Sequence, residues 1–293
     1  MTPFHFFLAV LVCLAWGLNA VAGKVGVTHL PPLFFTALRF SIMLAVLVPF
    51  IRPVARDQFP ILLGGVFFMG ALHFGLIFTG SHYSNASTVA IVNQLNVPFG
   101  SLLAMVFLSE QIGWRRWSGI AISFAGVVVF SFDANVKTHE FGIFLLVMDA
   151  LAMGIGSVLL RRLSGIKPLV MLSWMSLVGT PLLWAATLLL EGGQMEAAHT
   201  APWQGWAALA FATIAGGFIG HTAYYYLLQR YDVSLVGAML LTVPLIGVIS
   251  GVILLGDPLD AKIAVGAALT IAGVAIVMIR ERRPRLLEAP DGA

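Results

Sequence analysis

The sequence predicts an all-α integral membrane protein of ten transmembrane helices, arranged as two inverted-topology five-helix repeats with both termini cytoplasmic. Three observations lead there. Ten apolar stretches are each long enough to cross a bilayer, Lys and Arg are distributed unequally between alternate connections, and the two halves of the chain resemble each other.

A bilayer core of roughly 30 Å takes about 20 apolar residues per helix. Stretches of that kind lie near 4–27, 32–52, 58–81, 87–108, 115–132, 140–160, 168–190, 205–228, 234–255 and 261–279. They are continuous apolar runs without the period-2 alternation of barrel strands, so they read as helices. The connections are short and leave no soluble domain. Composition agrees, with 59% hydrophobic and 10% charged residues against about 25% charged in soluble domains.

With a cytoplasmic N-terminus, twelve of the sixteen basic residues fall on the inner side: Arg52, Arg56, Arg115, Arg116, Arg161, Arg162, Lys167, Arg230, Arg280, Arg282, Arg283 and Arg285. Lys24, Lys137 and Lys262 fall outside, and Arg39 lies within a span. This is a positive-inside pattern. The basic balance is therefore a topology signal, and no nucleic-acid partner is expected. Ala20-Val21-Ala22 resembles a signal-peptidase site, but residues 1–12 carry no Lys or Arg, so the first stretch is read as a retained span. Cys13 stands alone in the chain and is read as a small buried hydrophobe. No metal site and no cofactor is expected, and a monomer is compatible with this reading.

The halves match in order. Leu14-Ala15-Trp16-Gly17 matches Leu151-Ala152-Met153-Gly154, Pro31 matches Pro168, and His73 matches His221. Val97-Pro98 matches Val243-Pro244, Glu110 matches Asp257, Gly119 matches Gly266, and Ala125-Gly126-Val127 matches Ala272-Gly273-Val274. The expected units are a first repeat at 1–136, a second at 137–280 and a cytoplasmic tail at 281–293. Five helices per repeat oblige the second copy to enter from the opposite side. Such inverted repeats recur in secondary transporters, with substrate held near the midplane between them.

The chain resembles the EamA family of the drug/metabolite transporter superfamily over essentially its whole length. The resemblance rests on Leu-Ala-Trp-Gly-Leu-Asn at 14–19, Pro31 with Arg39, Asn96-Val97-Pro98 and Leu-Ser-Glu at 108–110. Thr242-Val243-Pro244 and Leu-Gly-Asp at 255–257 repeat it more loosely. Within the family it looks like the YddG-type amino-acid exporters. The resemblance implies a basket of helices one to four of each repeat around a central cavity, braced by the fifth and tenth. It also implies export of amino acids or small metabolites from the bacterial inner membrane.

Polar residues inside spans are expensive and tend to face a cavity or a partner. Arg39 and Asp149 each lie about 10 Å into a span entered from outside, and are expected to pair or share a polar network. Asn93, Asn96 and Gly100 share one helical stripe, as do Trp16, Asn19 and Gly23. The asparagines can bind a ligand or tie helices together, and Trp16 can stack on a substrate or fill core. His73 and His221 can donate, accept or carry a proton, or simply pack. Tyr225 shares the His221 face, Thr242 occupies the position matching Asn96, and Met153 that matching Trp16. These residues, with Asp149, make up the expected substrate site, lined by helices 1, 3, 4, 6, 8 and 9. Pro98 and Pro244 each delete a helical hydrogen bond and are read as hinges for gating or as fixed bends.

Absences narrow the function. No Lys or Arg lies within spans six to nine, which disfavours phosphorylated substrates. There is no P-loop, nucleophile elbow or His-Glu-x-x-His sequence, so an enzyme is not expected. The expected activity is facilitative export of neutral or aromatic amino acids by alternating access. The runner-up is a proton-coupled multidrug or cation exporter using Asp149. A membrane-embedded enzyme using the two histidines, or a channel, is the rival from another class.

Overall fold

A computed structural model describes residues 1–109, 112–131, 137–163, 165–228, 230–231, 236 and 239–278. Every regular element among them is helical. In chain order these are α1 (Pro3–His29), α2 (Pro32–Leu47), α3 (Phe59–Val66), α4 (His73–Tyr83), α5 (Ala86–Val92), α6 (Asn96–Leu108) and α7 (Trp114–Ser131). Then come α8 (Lys137–Arg161), α9 (Pro168–Leu190), α10 (Gln194–Thr200), α11 (Trp203–Phe211), α12 (Gly220–Leu228), α13 (Thr242–Leu255) and α14 (Ala261–Met278).

Among the described residues, eight helical segments are long and apolar enough to cross a membrane: Pro3–His29, Pro32–Phe50, Phe59–Tyr83, Ala86–Leu108, Glu140–Arg161, Pro168–Leu190, Trp203–Tyr224 and Ala261–Met278. They coincide with eight of the ten predicted stretches. The other two stretches are helical but weaker. Helix α7 opens on Trp114-Arg115-Arg116-Trp117, which lowers its hydropathy, and α13 has only 14 residues. The short helix α10 was not foreseen; Gly193, at φ 74, turns the chain into it. Glu110 and the basic tail lie outside the described residues.

Local chemistry explains the helix boundaries. Thr2 caps α1, its Oγ1 accepting from the His5 N–H at 3.3 Å, and Pro3 sits where a missing N–H is no loss. Helix α2 is capped from a distance. The Glu191 carboxylate accepts from the Leu33 and Phe34 N–H groups at 2.8 and 2.9 Å, and from the Thr187 hydroxyl at 2.7 Å. A carboxylate is favoured at a helix N-terminus, so this contact fastens the start of α2 to the end of α9. Asp257 does the same for α5, accepting from the N–H and hydroxyl of Ser87, both at 2.8 Å.

The matched prolines Pro98 and Pro244 each stand third in a helix, whereas Pro181 lies inside α9. Pro98 follows a 3₁₀ turn at Asn93–Leu95 that ends α5, and α6 begins at Asn96. Pro244 stands at the same place in α13, which follows a turn at Leu241. Proline cannot donate to the preceding turn, so each span restarts there.

The two spans that carry His73 and His221 share a second irregularity. A π-helical segment, Phe67–Leu72, joins α3 to α4, and another, Ala212–Ile219, joins α11 to α12. The histidines follow these segments directly or by one residue. Wide π turns free carbonyls from the regular ladder and are often found at functional sites.

Helices α7 and α14 pack backbone to backbone. A Cβ added to Gly119 would lie 2.8 Å from the Gly273 carbonyl oxygen, and one on Gly126 2.6 Å from that of Gly266. Rising numbers in one helix meet falling numbers in the other, so the pair is antiparallel. Small residues allow this close approach. Elsewhere α1 packs on α11, α12 and α13, while α8 packs on α3, α4 and α6. Each of these long helices therefore lies against the opposite half of the chain.

Candidate functional site: a central cavity

A cavity of about 360 Å³ lies between the halves, within the roughly 300–1,000 Å³ typical of small-molecule sites. Of the residues predicted for the site, Trp16, Asn19, His73, Asn93, Asn96, Met153 and His221 line it. They come from α1, α4, the 3₁₀ turn, α6, α8 and α12. Residues Leu240, Leu241 and Val243 complete the wall beside α13. A larger, more open cavity of about 840 Å³ lies by the loops that carry Arg52 and Lys167. It contains none of the predicted site residues.

Asp149 stands behind the cavity wall. It is wholly buried. His73 Nδ1 donates to its Oδ1 through a short contact, and Asn93 Nδ2 donates to Oδ2 at 2.9 Å. The predicted Arg39–Asp149 pair is not formed. Helix α2 packs on α9 and α4, and α8 packs on α4 and α6, so α4 stands between the two charges. Depth along a span is legible in sequence, but the identity of the neighbouring helix is not.

Arg39 instead lines the cavity, 1% exposed. Its guanidinium carbon lies 4.3 Å from the Phe74 ring centroid and 5.6 Å from that of Phe78. Helix α2, expected in the basket but not among the six lining helices, thus contributes to the wall. Its signal was present, since Arg39 is the one basic residue assigned to a span interior. Phe74 and Phe78 gave no such signal among 21 phenylalanines.

The opposite wall uses backbone oxygens of the second π segment. Trp16 Nε1 donates to the Gly216 carbonyl at 3.1 Å. His221 Nδ1 donates to the carbonyls of Gly216 and Gly217 at 3.1 and 3.0 Å. The Trp16 ring lies 5.2 Å from both His221 and Tyr224, centroid to centroid. Tyr224 lines the cavity, while the side chain of Tyr225 lies outside the described residues. Thr242 is a correction. It is exposed, and its hydroxyl donates to the Met239 carbonyl at 2.8 Å. Its flanking residues Leu241 and Val243 face the cavity in its place, because adjacent residues of a helix point about 100° apart.

No cluster of His, Cys, Asp or Glu suited to a metal ion occurs among the described residues. The cavity offers amide, imidazole and guanidinium groups on aromatic and aliphatic walls. It is suited to holding a small polar-headed solute within a helical membrane protein.

Those features define a polytopic membrane transporter. The chain belongs to the EamA-like transporter family, which matches at residues 4–132 and 140–279. It is similar to a probable amino-acid metabolite efflux pump of Salmonella typhimurium, 29% identical, covering 92% of this chain and 93% of that protein. An Escherichia coli protein of the same description is 28% identical, with 92% and 93% covered. A probable terminal-alkyne amino-acid exporter of Streptantibioticus cattleyicolor is 27% identical, with 77% and 75% covered. A crystal structure with a TM-score of 0.65 and 19% identity covers 94% of this chain and 98% of its own, and shows the same fold. The protein is a multi-pass inner-membrane transporter, not an enzyme.

Proposed function

We propose that the protein exports neutral amino acids with apolar or aromatic side chains, and related small metabolites, by facilitative alternating access. The observation that carries this reading is the central cavity, whose lining combines Arg39, Asn19, His73 and His221 with Phe74, Phe78, Met69 and Met153. An apolar α-amino acid presents both kinds of group. The names of the relatives point the same way, since they describe amino-acid or amino-acid metabolite export.

The remaining elements of the proposal are ten spans, cytoplasmic termini and two five-helix repeats at 1–136 and 137–280. Three observations support the repeats: the two family matches, the paired π segments, and the reciprocal Gly119–Gly273 and Gly126–Gly266 contacts. Reciprocal contacts of this kind are what a two-fold axis produces. Opening would come from one repeat rocking against the other around the cavity, with Pro98 and Pro244 as the joints.

A second reading, proton-coupled exchange, rests on Asp149, whose partner His73 lines the cavity. Counterflow of radiolabelled leucine and phenylalanine in proteoliposomes, with and without a pH gradient, separates the two. Saturable counterflow indifferent to the gradient is expected. Flux that requires the gradient would replace the facilitative mechanism with proton exchange, and absence of amino-acid counterflow would remove the substrate assignment.

A further inference from the structure

Two buried polar groups of opposite character lie unsatisfied in the same cavity. Neither Nε nor Nη1 of Arg39 has a hydrogen-bond acceptor among the described residues. The Oδ1 atom of Asn19 has no donor among them. Leaving such groups unpaired is costly, most of all for a charge. The arrangement is therefore unusual for side chains whose role is only to hold helices together.

Neighbouring residues do not relieve it. Phe74 and Phe78 contact Arg39 as π systems, which attracts the cation but leaves its in-plane N–H donors unused. A guanidinium has two forks of paired donors suited to a carboxylate. One fork contains Nε and the other Nη1, so each retains a donor without an acceptor. The buried carboxylate of this region, Asp149, is already engaged by His73 and Asn93.

The two groups also converge. A Cβ on Gly217 would lie 3.7 Å from Arg39 Nη2, and one on Gly216 2.7 Å from Asn19 Oδ1. Consecutive Cα atoms are about 3.8 Å apart, so both side chains approach one short piece of the π segment. At Gly216 the absence of a side chain is what lets Asn19 come so close.

We infer that Arg39 and Asn19 form a two-point clamp for the α-carboxylate and α-ammonium groups of one substrate. Arg39 donates to the carboxylate and the Asn19 amide oxygen accepts from the ammonium. This deepens the proposed function and rests on it for the choice of amino acids. It adds a division of labour, and it makes the zwitterionic head, rather than the side chain, the element most strictly required.

The test is competition against labelled phenylalanine for binding and counterflow by the full-length protein in proteoliposomes. The competitors are 3-phenylpropionate, which lacks the ammonium, and phenylalaninamide and phenethylamine, which lack the carboxylate. In the wild type all three are expected to be roughly 10- to 100-fold weaker than phenylalanine, as for loss of a charge-assisted hydrogen bond. In Arg39→Gln the penalty for lacking a carboxylate disappears while that for lacking an ammonium remains. In Asn19→Leu the pattern reverses. If Arg39→Gln does not fold, Arg39→Lys and the wild-type competitor series carry the test. Competition by the acid and the amide as strong as that by phenylalanine itself in the wild type overturns the clamp even if amino-acid counterflow is robust. If 3-phenylpropionate is carried and phenylalanine is not, the amino-acid reading and the Asn19 half fail, while Arg39 is retained as a carboxylate site. Absence of binding by any carboxylate overturns both halves.

Discussion

His73 and His221 occupy matching places, each just after a π segment and each lining the cavity, yet they are held differently. His73 is paired with the buried carboxylate of Asp149 on α8. His221 turns back on its own helix, to the carbonyls of Gly216 and Gly217, and is covered by the Trp16 ring. Both histidines follow a π segment, so the difference comes from the residues facing them. One histidine anchors a charge across two helices, while the other ties down its own π segment. A duplicated fold can thus hold two unlike walls around a single cavity.

The sharpest way to break this comparison is to remove Asp149. Asp149→Leu deprives both His73 and Asn93 of their acceptor, and breaking a buried pair costs about 3–5 kcal/mol. A large drop in unfolding temperature in detergent is expected. A variant as stable as the wild type would mean that the first wall does not depend on the carboxylate.

The second wall is tested through its glycines. A Cβ on Gly220 would lie 2.4 Å from Trp16 Nε1. Gly220→Ala should therefore push Trp16 off the Gly216 carbonyl and cost about 1–3 kcal/mol, as overpacking does. Tryptophan fluorescence should shift and counterflow should fall. An unaltered spectrum would show that the added methyl group is accommodated without displacing Trp16.

The smallest expected effect is that of His221→Leu. Gly216 keeps Trp16 as a donor, and membrane side-chain hydrogen bonds are worth about 0.6–1.7 kcal/mol. Thermal stability should change by about 1 kcal/mol, well below the effect at Asp149. Equal losses from Asp149→Leu and His221→Leu would abolish the distinction between the walls.

Much of the site was legible in advance. Trp16, Asn19, Asn93 and Asn96 were singled out as polar or aromatic residues sharing helical stripes, and His73 and His221 as matched residues deep in spans. All six line the cavity. The Arg39–Asp149 pair and Thr242 were misplaced for a common reason. Period and depth are properties of one helix, whereas partner choice depends on which helix lies alongside and how it is rotated. The π segments were also invisible, because Phe67–Leu72 and Ala212–Ile219 read as ordinary apolar helix.

The sequence by itself determined the helical segments, their order and most of their ends. Bilayer thickness sets a minimum apolar length, and lipid forbids unsatisfied backbone, so these constraints act along the chain. Proline placed the restarts at Asn96 and Thr242 in the same local way. Only the tertiary structure decided that Asp149 meets His73 and that Arg39 faces the cavity beside Asn19. The first joins residues 76 positions apart, and both depend on close helix packing set by glycines whose significance appears only when a second helix is laid against them.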